Sequence, residues 1–179
     1  MLSVSSDASF ATTQKARAGI HVSRRGYPRK GVAVDLGPAG IQSSTQAEFL
    51  ALCLAVMVRV DQRRPLIVQA DEESSVRDLE ALREGCLPRW LRRDGSDLAQ
   101  RVAVTAMAAL HLRTVSISHV PRRKVAQAHE LAHIGNTDSR LNNSLYHPRT
   151  FARNQGIPLS WNDRDRGFST TPAGPSASP

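Results

Sequence analysis

The strongest constraint on how this chain can fold is a change of hydrophobic period near residue 44. Before it, residues 3–36 divide into three short stretches, SVSSDASF, ARAGIHV and GVAVDL, each suited to an extended strand. In the first, Val4, Ser6, Ala8 and Phe10 fall on one face and Ser5, Asp7 and Ser9 on the other. That alternation suits a strand with one buried side. Glycine and proline at Gly26, Pro28 and Gly31 punctuate the second turn, so the three stretches read as an antiparallel meander.

After the change the period becomes helical. In SSTQAEFLALCLAVMVRV, Thr45 and Glu48 have the spacing of a capping box, which predicts a buried helix over about 46–61. Beyond Arg63-Arg64-Pro65, LIVQAD reads as a short buried strand, and SSVRDLEALR as a helix with Val76, Leu79 and Leu82 inward. Residues 83–97, REGCLPRWLRRDGSD, form a segment marked by glycine and proline. LAQRVAVTAMAALHL then places Leu98, Val102, Thr105, Ala109 and Leu112 on one helical face. TVSISHV is a strand, and KVAQAHELAHIG a helix closed by Gly135. Three strands, a helix, then alternating strands and helices imply a mixed sheet flanked by helices.

A chain of 179 residues accommodates one domain with tails. Aromatic residues are scarce at 4%, which suggests an unpacked portion. The C-terminus is the expected place, since the hydrophobic period fades from Asn136 and the chain ends in the low-complexity FSTTPAGPSASP. The formal charge is +8, and all but three of the 24 basic residues are arginine, which pairs bidentately with phosphate. A polyanionic partner follows, although arginine usage also tracks genomic base composition.

Cys53 and Cys86 have no metal-type spacing, so a reducing interior is expected. MLSVSSD lacks the basic and long apolar regions of a signal peptide, and the apolar run Phe49 to Val58 is too short for a membrane span. The expectation is a soluble, cytoplasmic protein without membrane contact.

Three carboxylates fall at telling places: Asp7 midway along the first strand, Glu48 in the first turn of the first helix, and Asp71 at the carboxyl end of the fourth strand, where sites in α/β sheets collect. Each also has an ordinary role, as a solvated strand residue, the cap itself, or a turn residue near Ser74. Their joint occurrence on this element order points to a site.

With these pieces the sequence resembles the ribonuclease H family, type 1. The matching segments are SVSSDASF for the first strand with its aspartate, SSTQAEFLAL for the helix start bearing glutamate, LIVQADEES for the strand ending in aspartate, and SISHVPRRKVAQAHELA for the final loop and helix. The resemblance covers about residues 3–134. It implies an α/β fold of ribonuclease H-like type: a mixed five-stranded sheet, three antiparallel strands then two parallel, flanked by helices. Residues 1–135 would form that domain, and 136–179 a basic, largely flexible C-terminal extension.

The resemblance implies a metal-dependent endonuclease, a phosphodiester hydrolase that cuts the RNA strand of RNA–DNA hybrids with two divalent ions, Mg²⁺ or Mn²⁺. Asp7 would bridge both ions, Glu48 and Asp71 would hold the leaving-group ion, and the fourth position would help hold the nucleophile-side ion. That fourth position, aspartate in the family, is His129 here. His119 matches a family histidine associated with proton handling. Val125, Thr45 and Gln46 depart from the family pattern where asparagine amides are expected. Related members of the fold, such as Holliday-junction resolvases, can carry histidine as the fourth ligand.

Histidine is a borderline ligand that favours Mn²⁺ over Mg²⁺ relative to carboxylate, and it removes one negative charge. Glu130 and Asp138 are the other candidates for the fourth ligand, but Glu130 points away around the helix and Asp138 lies beyond the helix-stopping glycine. His133 shares the face of His129 and invites a zinc reading, with no third ligand evident in the sequence. His21 and His111 read as ordinary.

Substrate-binding candidates are Arg89, Trp90, Arg92 and Arg93 between helices, and Arg122, Arg123 and Lys124 before the final helix, all placed to meet phosphate. A solvated loop anchored by Trp90 accounts for the first group equally well. Two other functions remain open: a catalytically impaired nucleic-acid-binding module, and a nuclease or resolvase acting on DNA.

Overall fold

In the computed structural model, residues 1–13, 15–25, 30–58, 64–134, 160–162 and 167–169 are described. Three strands, β1 (Leu2–Thr12), β2 (Lys15–Ser23) and β3 (Lys30–Asp35), lead into helix α1 (Ser44–Val56). Strand β4 (Leu66–Ala70), helices α2 (Glu73–Arg83), α3 (Arg89–Asp94) and α4 (Asp97–Leu112), strand β5 (Val115–His119) and helix α5 (Ala126–Ile134) follow. The sheet order is β3-β2-β1-β4-β5, with β1–β2 and β2–β3 antiparallel and β1–β4 and β4–β5 parallel. This is the expected mixed five-stranded sheet.

The predicted alternation in β1 holds. Val4 pairs with Val22, Ser6 with Ile20 and Ala8 with Ala18. Val4, Ala18, Ile20 and Val22 share one core cluster with Phe49, Leu50 and Leu52 of α1 and with Leu79, Val102 and Ala106 of α2 and α4. The opposite face carries small residues at its centre. There Asp7 pairs with Gly19, and Gly19 with Ala33. A Cβ added at Gly19 would lie 1.9 Å from the Ala128 carbonyl oxygen and 2.6 Å from the Ala132 nitrogen, so only glycine lets α5 rest directly on β2.

Three expectations change. The cap of α1 is Ser43, whose hydroxyl accepts from the Gln46 N–H, while the Gln46 side chain accepts from the Gln42 N–H at 2.6 Å. Ser43 and Gln46 repeat the Thr45–Glu48 spacing two residues earlier, so Glu48 takes no part in the cap and its carboxylate is left for other work. On α4 the buried residues are Ala99, Val102, Ala103, Thr105, Ala106, Ala109 and Leu110, whereas Leu112 is 43% exposed. The apolar face is therefore rotated from the predicted one by about a residue.

The third change is α3 itself, a helix inside the segment marked by glycine and proline. The chain leaves α2 through Gly85 at φ +83, with Cys86 N–H bonded to Ala81 O at 2.9 Å and Gly85 N–H to Leu82 O at 3.0 Å, a Schellman closure. Leu91 of α3 is fully buried, and Trp90 meets Phe49 edge-to-face at 6.0 Å between ring centroids. Two inward side chains suffice to dock six residues of helix.

Gly26, Pro28, the end of the predicted first helix at 59–61, Gly135 and Asp138 lie outside the described residues. So does most of the extension from 136, apart from two short strands, β6 (Ser160–Asn162) and β7 (Gly167–Ser169), which pair antiparallel. Among the described residues no helix is long and apolar enough to cross a membrane.

Candidate metal centre

Asp7 sits on the small-residue face of β1 and is 3% exposed. Strand β4 pairs with β1 only from Leu2 to Ser5, so the β1 edge beyond Ser5 is open to other partners. Glu48 of α1 fills part of that edge, its Oε1 accepting from the Ala8 N–H at 3.1 Å. Asp71 follows the last residue of β4. Carboxylate oxygens of Asp7, Glu48 and Asp71 lie within 4.8 Å of one another.

Such crowding of negative charge has a cost unless protons or a cation neutralise it. Burial first, and the Asp7 carboxylate second, push the Glu48 carboxyl up to about 9. Asp71 is raised as well, again by burial first and Asp7 second, with Arg122 acting in the opposite direction. Glu48 Oε2 is sealed from solvent and has no hydrogen-bond partner among the described residues. Converging oxygen donors and an unsatisfied buried carboxylate oxygen fit a hard divalent cation, the chemistry of Mg²⁺ or Mn²⁺.

His129 also meets Asp7 directly. Its Nδ1 lies 2.6 Å from Asp7 Oδ2, and Arg122 Nη2 lies 2.9 Å from Nδ1 and 3.1 Å from Nε2. His129 belongs to a second group, in which its ring nitrogen, a His133 nitrogen and an Asp7 oxygen lie within 4.8 Å. The structure thus brings the four expected residues to one region with Asp7 common to two groups, while His129 does not join the three-carboxylate group. The sequence shows no third group beside the His129–His133 pair; the fold brings Asp7 to them.

His119 is exposed at the end of β5, its Nε2 3.1 Å from the Asp71 carbonyl oxygen, which sets it beside the carboxylates. Arg122, Arg123 and Lys124 occupy an exposed 3-10 turn just before α5. Arg89, Arg92 and Arg93 are exposed on α3, whereas Trp90, expected among the binding residues, is turned inward onto Phe49. Gly19 gained its place at the site only through the fold, and Arg122, predicted to meet phosphate, also lies against His129. Gly19 carried no signal beyond being a glycine within a strand pattern.

No protein-family model matches the chain, and no curated protein matches it in sequence. Among solved structures it is similar to the ribonuclease H domain of PFV, a foamy virus, at 13% identity, with 73% of this chain and 90% of that one covered and a TM-score of 0.50. It is also similar to a foamy viral protease-reverse transcriptase in complex with an RNA/DNA hybrid, at 10% identity, with 74% of this chain and 20% of that one covered and a TM-score of 0.50. The strand order, the helix on each face and this likeness agree: the chain has the ribonuclease H-like fold.

Proposed function

We propose that this protein is a metal-dependent endonuclease that hydrolyses the RNA strand of RNA–DNA hybrids. The carrying observation is the cluster of Asp7, Glu48 and Asp71 beside the open edge of β1, with the buried Glu48 Oε2 unpartnered. When bound, two divalent ions would supply the positive charge that activates a water and stabilises the leaving oxygen.

The protein's own residues do the rest. Asp7, Glu48 and Asp71 would hold one ion, and Asp7 with His129 the other. Glu48 is fixed by the Ala8 N–H, so its free oxygen has a defined direction. His119, exposed next to Asp71, is placed to exchange a proton with the departing product. The arginines of α3 and the Arg122–Lys124 turn offer phosphate contacts, which give affinity and salt dependence. A hybrid would be recognised by shape and by 2′-hydroxyl contacts. The foamy viral relative bound to a hybrid supports that substrate class by analogy of fold.

Cleavage of a labelled hybrid, compared with DNA duplex, RNA duplex and junction DNA in Mg²⁺ and in Mn²⁺, tests the reading. Hybrid cleavage that disappears in Asp7→Asn supports it. Binding of the hybrid without cleavage in either metal overturns it in favour of a binding module, and preference for junction DNA replaces the substrate.

A further inference from the structure

We infer that Asp7, His129 and His133 form a nitrogen-bearing metal site that takes a borderline transition dication, such as Mn²⁺, Co²⁺ or Zn²⁺, in preference to Mg²⁺. The site adds His133 and a metal class to the proposed centre, with which it shares Asp7 and His129. Its formation does not require the nuclease reading to be correct.

The geometry that carries it starts with helix spacing. His129 and His133 are one turn apart on α5, and their ring centroids are 4.0 Å apart. One ligand atom from each, with one from Asp7, falls within 4.8 Å of the others. Two imidazoles and a carboxylate are a familiar donor set for transition metals and a poor one for Mg²⁺, which prefers oxygen and water.

Hydrogen bonding prepares the His133 ring. His133 Nδ1 lies 3.0 Å from the His129 carbonyl oxygen, which can only accept, so Nδ1 carries the proton and Nε2 holds the lone pair. His129 Nδ1 lies 2.6 Å from Asp7 Oδ2, so in the metal-free protein a proton joins these two atoms, and a cation bound by both takes its place. Metal-binding histidines characteristically have one nitrogen held by a carbonyl or carboxylate while the other ligates. Here that holding bond exists for His133 in the protein alone. Arg122 Nη2, 2.9 and 3.1 Å from the two nitrogens of His129, is a tethered cation whose charge opposes a metal ion beside the ring. Metal entry must displace it.

Gly19 makes the arrangement possible. Because α5 lies directly on β2, the first residue of the His129–His133 pair reaches the carboxylate that pairs across from Gly19.

The test is metal binding without nucleic acid, on the full chain freed of metal by chelation. Co²⁺ is titrated by absorption, and bound Mn²⁺ is probed by pulsed electron paramagnetic resonance for coupling to ring nitrogen. Wild type should show two coupled nitrogens, and a hundredfold excess of Mg²⁺ over Co²⁺, by design, should leave Co²⁺ in place. His133→Ala, an exposed position whose fold is checked by circular dichroism, should lose one nitrogen coupling and bind Co²⁺ about 10–100-fold more weakly. Arg122→Gln should bind it more tightly.

The inference is overturned if His133→Ala leaves the couplings and the Co²⁺ affinity unchanged, or if that hundredfold excess of Mg²⁺ displaces Co²⁺. Co²⁺ bound through two nitrogens in a protein that cuts no hybrid overturns the nuclease reading alone. Hybrid cleavage in Mg²⁺ by a protein with no nitrogen-coupled Mn²⁺ overturns the metal inference alone.

Discussion

Asp7 Oδ2 and His129 Nδ1 stand 2.6 Å apart although 122 residues separate them in the chain. The contact joins the centre of the first strand to the last described helix. It places a histidine at the position where the family resemblance implies a carboxylate, so the charge on that side of the site is one unit less negative. The same contact depends on how closely α5 approaches the sheet.

Gly19→Ala tests that dependence. The new Cβ would meet the α5 backbone rather than a flexible side chain, so α5 must move outward. The expected loss is about 1–3 kcal/mol of stability, as for other overpacking changes. Thermal denaturation measures it, and nitrogen-coupled Mn²⁺ should vanish with it. An unchanged melting temperature would show that α5 does not rest on β2.

Asp7→Asn removes the one carboxylate common to both groups. Hybrid cleavage should fall by more than about 100-fold, beyond what loss of an outer-shell partner costs. Relief of repulsion among the carboxylates should keep the fold intact by circular dichroism. Full activity would remove Asp7 from the centre.

Glu48 sets a pH dependence for the metal-free protein. Its folded-state pKa is raised from the ordinary 4.5 to about 9, so between those values the folded state holds a proton that the unfolded state has released. Stability from this group is complete below about pH 4.5 and drains away as pH rises toward about 9. Chelator-treated protein should therefore melt progressively lower across that window, and Glu48→Gln should flatten the slope. Added Mg²⁺ should restore the loss at neutral pH. A melting temperature that rises with pH through the window and is indifferent to Glu48→Gln would contradict this account.

The α3 arginines should act on affinity. Arg92→Ala with Arg93→Ala should weaken hybrid binding, and should lower the slope of log affinity against log salt by about 1 for each phosphate that is no longer neutralised. Turnover at saturating substrate should be unchanged. Trp90→Ala, by contrast, should lower the melting temperature, because its ring packs on Phe49. If Trp90→Ala weakens binding without touching stability, the indole serves the substrate.

Much of this was legible along the chain. Period-two alternation marked Asp7 as lying on the face opposite Val4, and the strand ending at Asp71 was clear from LIVQAD, because side-chain periodicity is a local property of backbone geometry. The cap of α1 lies two residues before the one that Thr45–Glu48 predicts, because SSTQAE contains the same cap spacing twice, at Ser43–Gln46 and Thr45–Glu48. Helix α3 was hidden because proline and glycine bracket six residues, too few for a period to declare itself. Its stability comes from Leu91 and Trp90 packing on distant residues.

Local sequence set the type and order of the elements and nominated every carboxylate of the centre, since propensity, capping and alternation act over a few residues. Neighbours in space obey no such limit. That Glu48 reaches the open edge of β1, that Gly19 admits α5, and that His129 and His133 meet Asp7 are consequences of packing between segments far apart in the chain. Those distances arise when the sheet and helices close on a shared core, where burial rather than spacing chooses each partner.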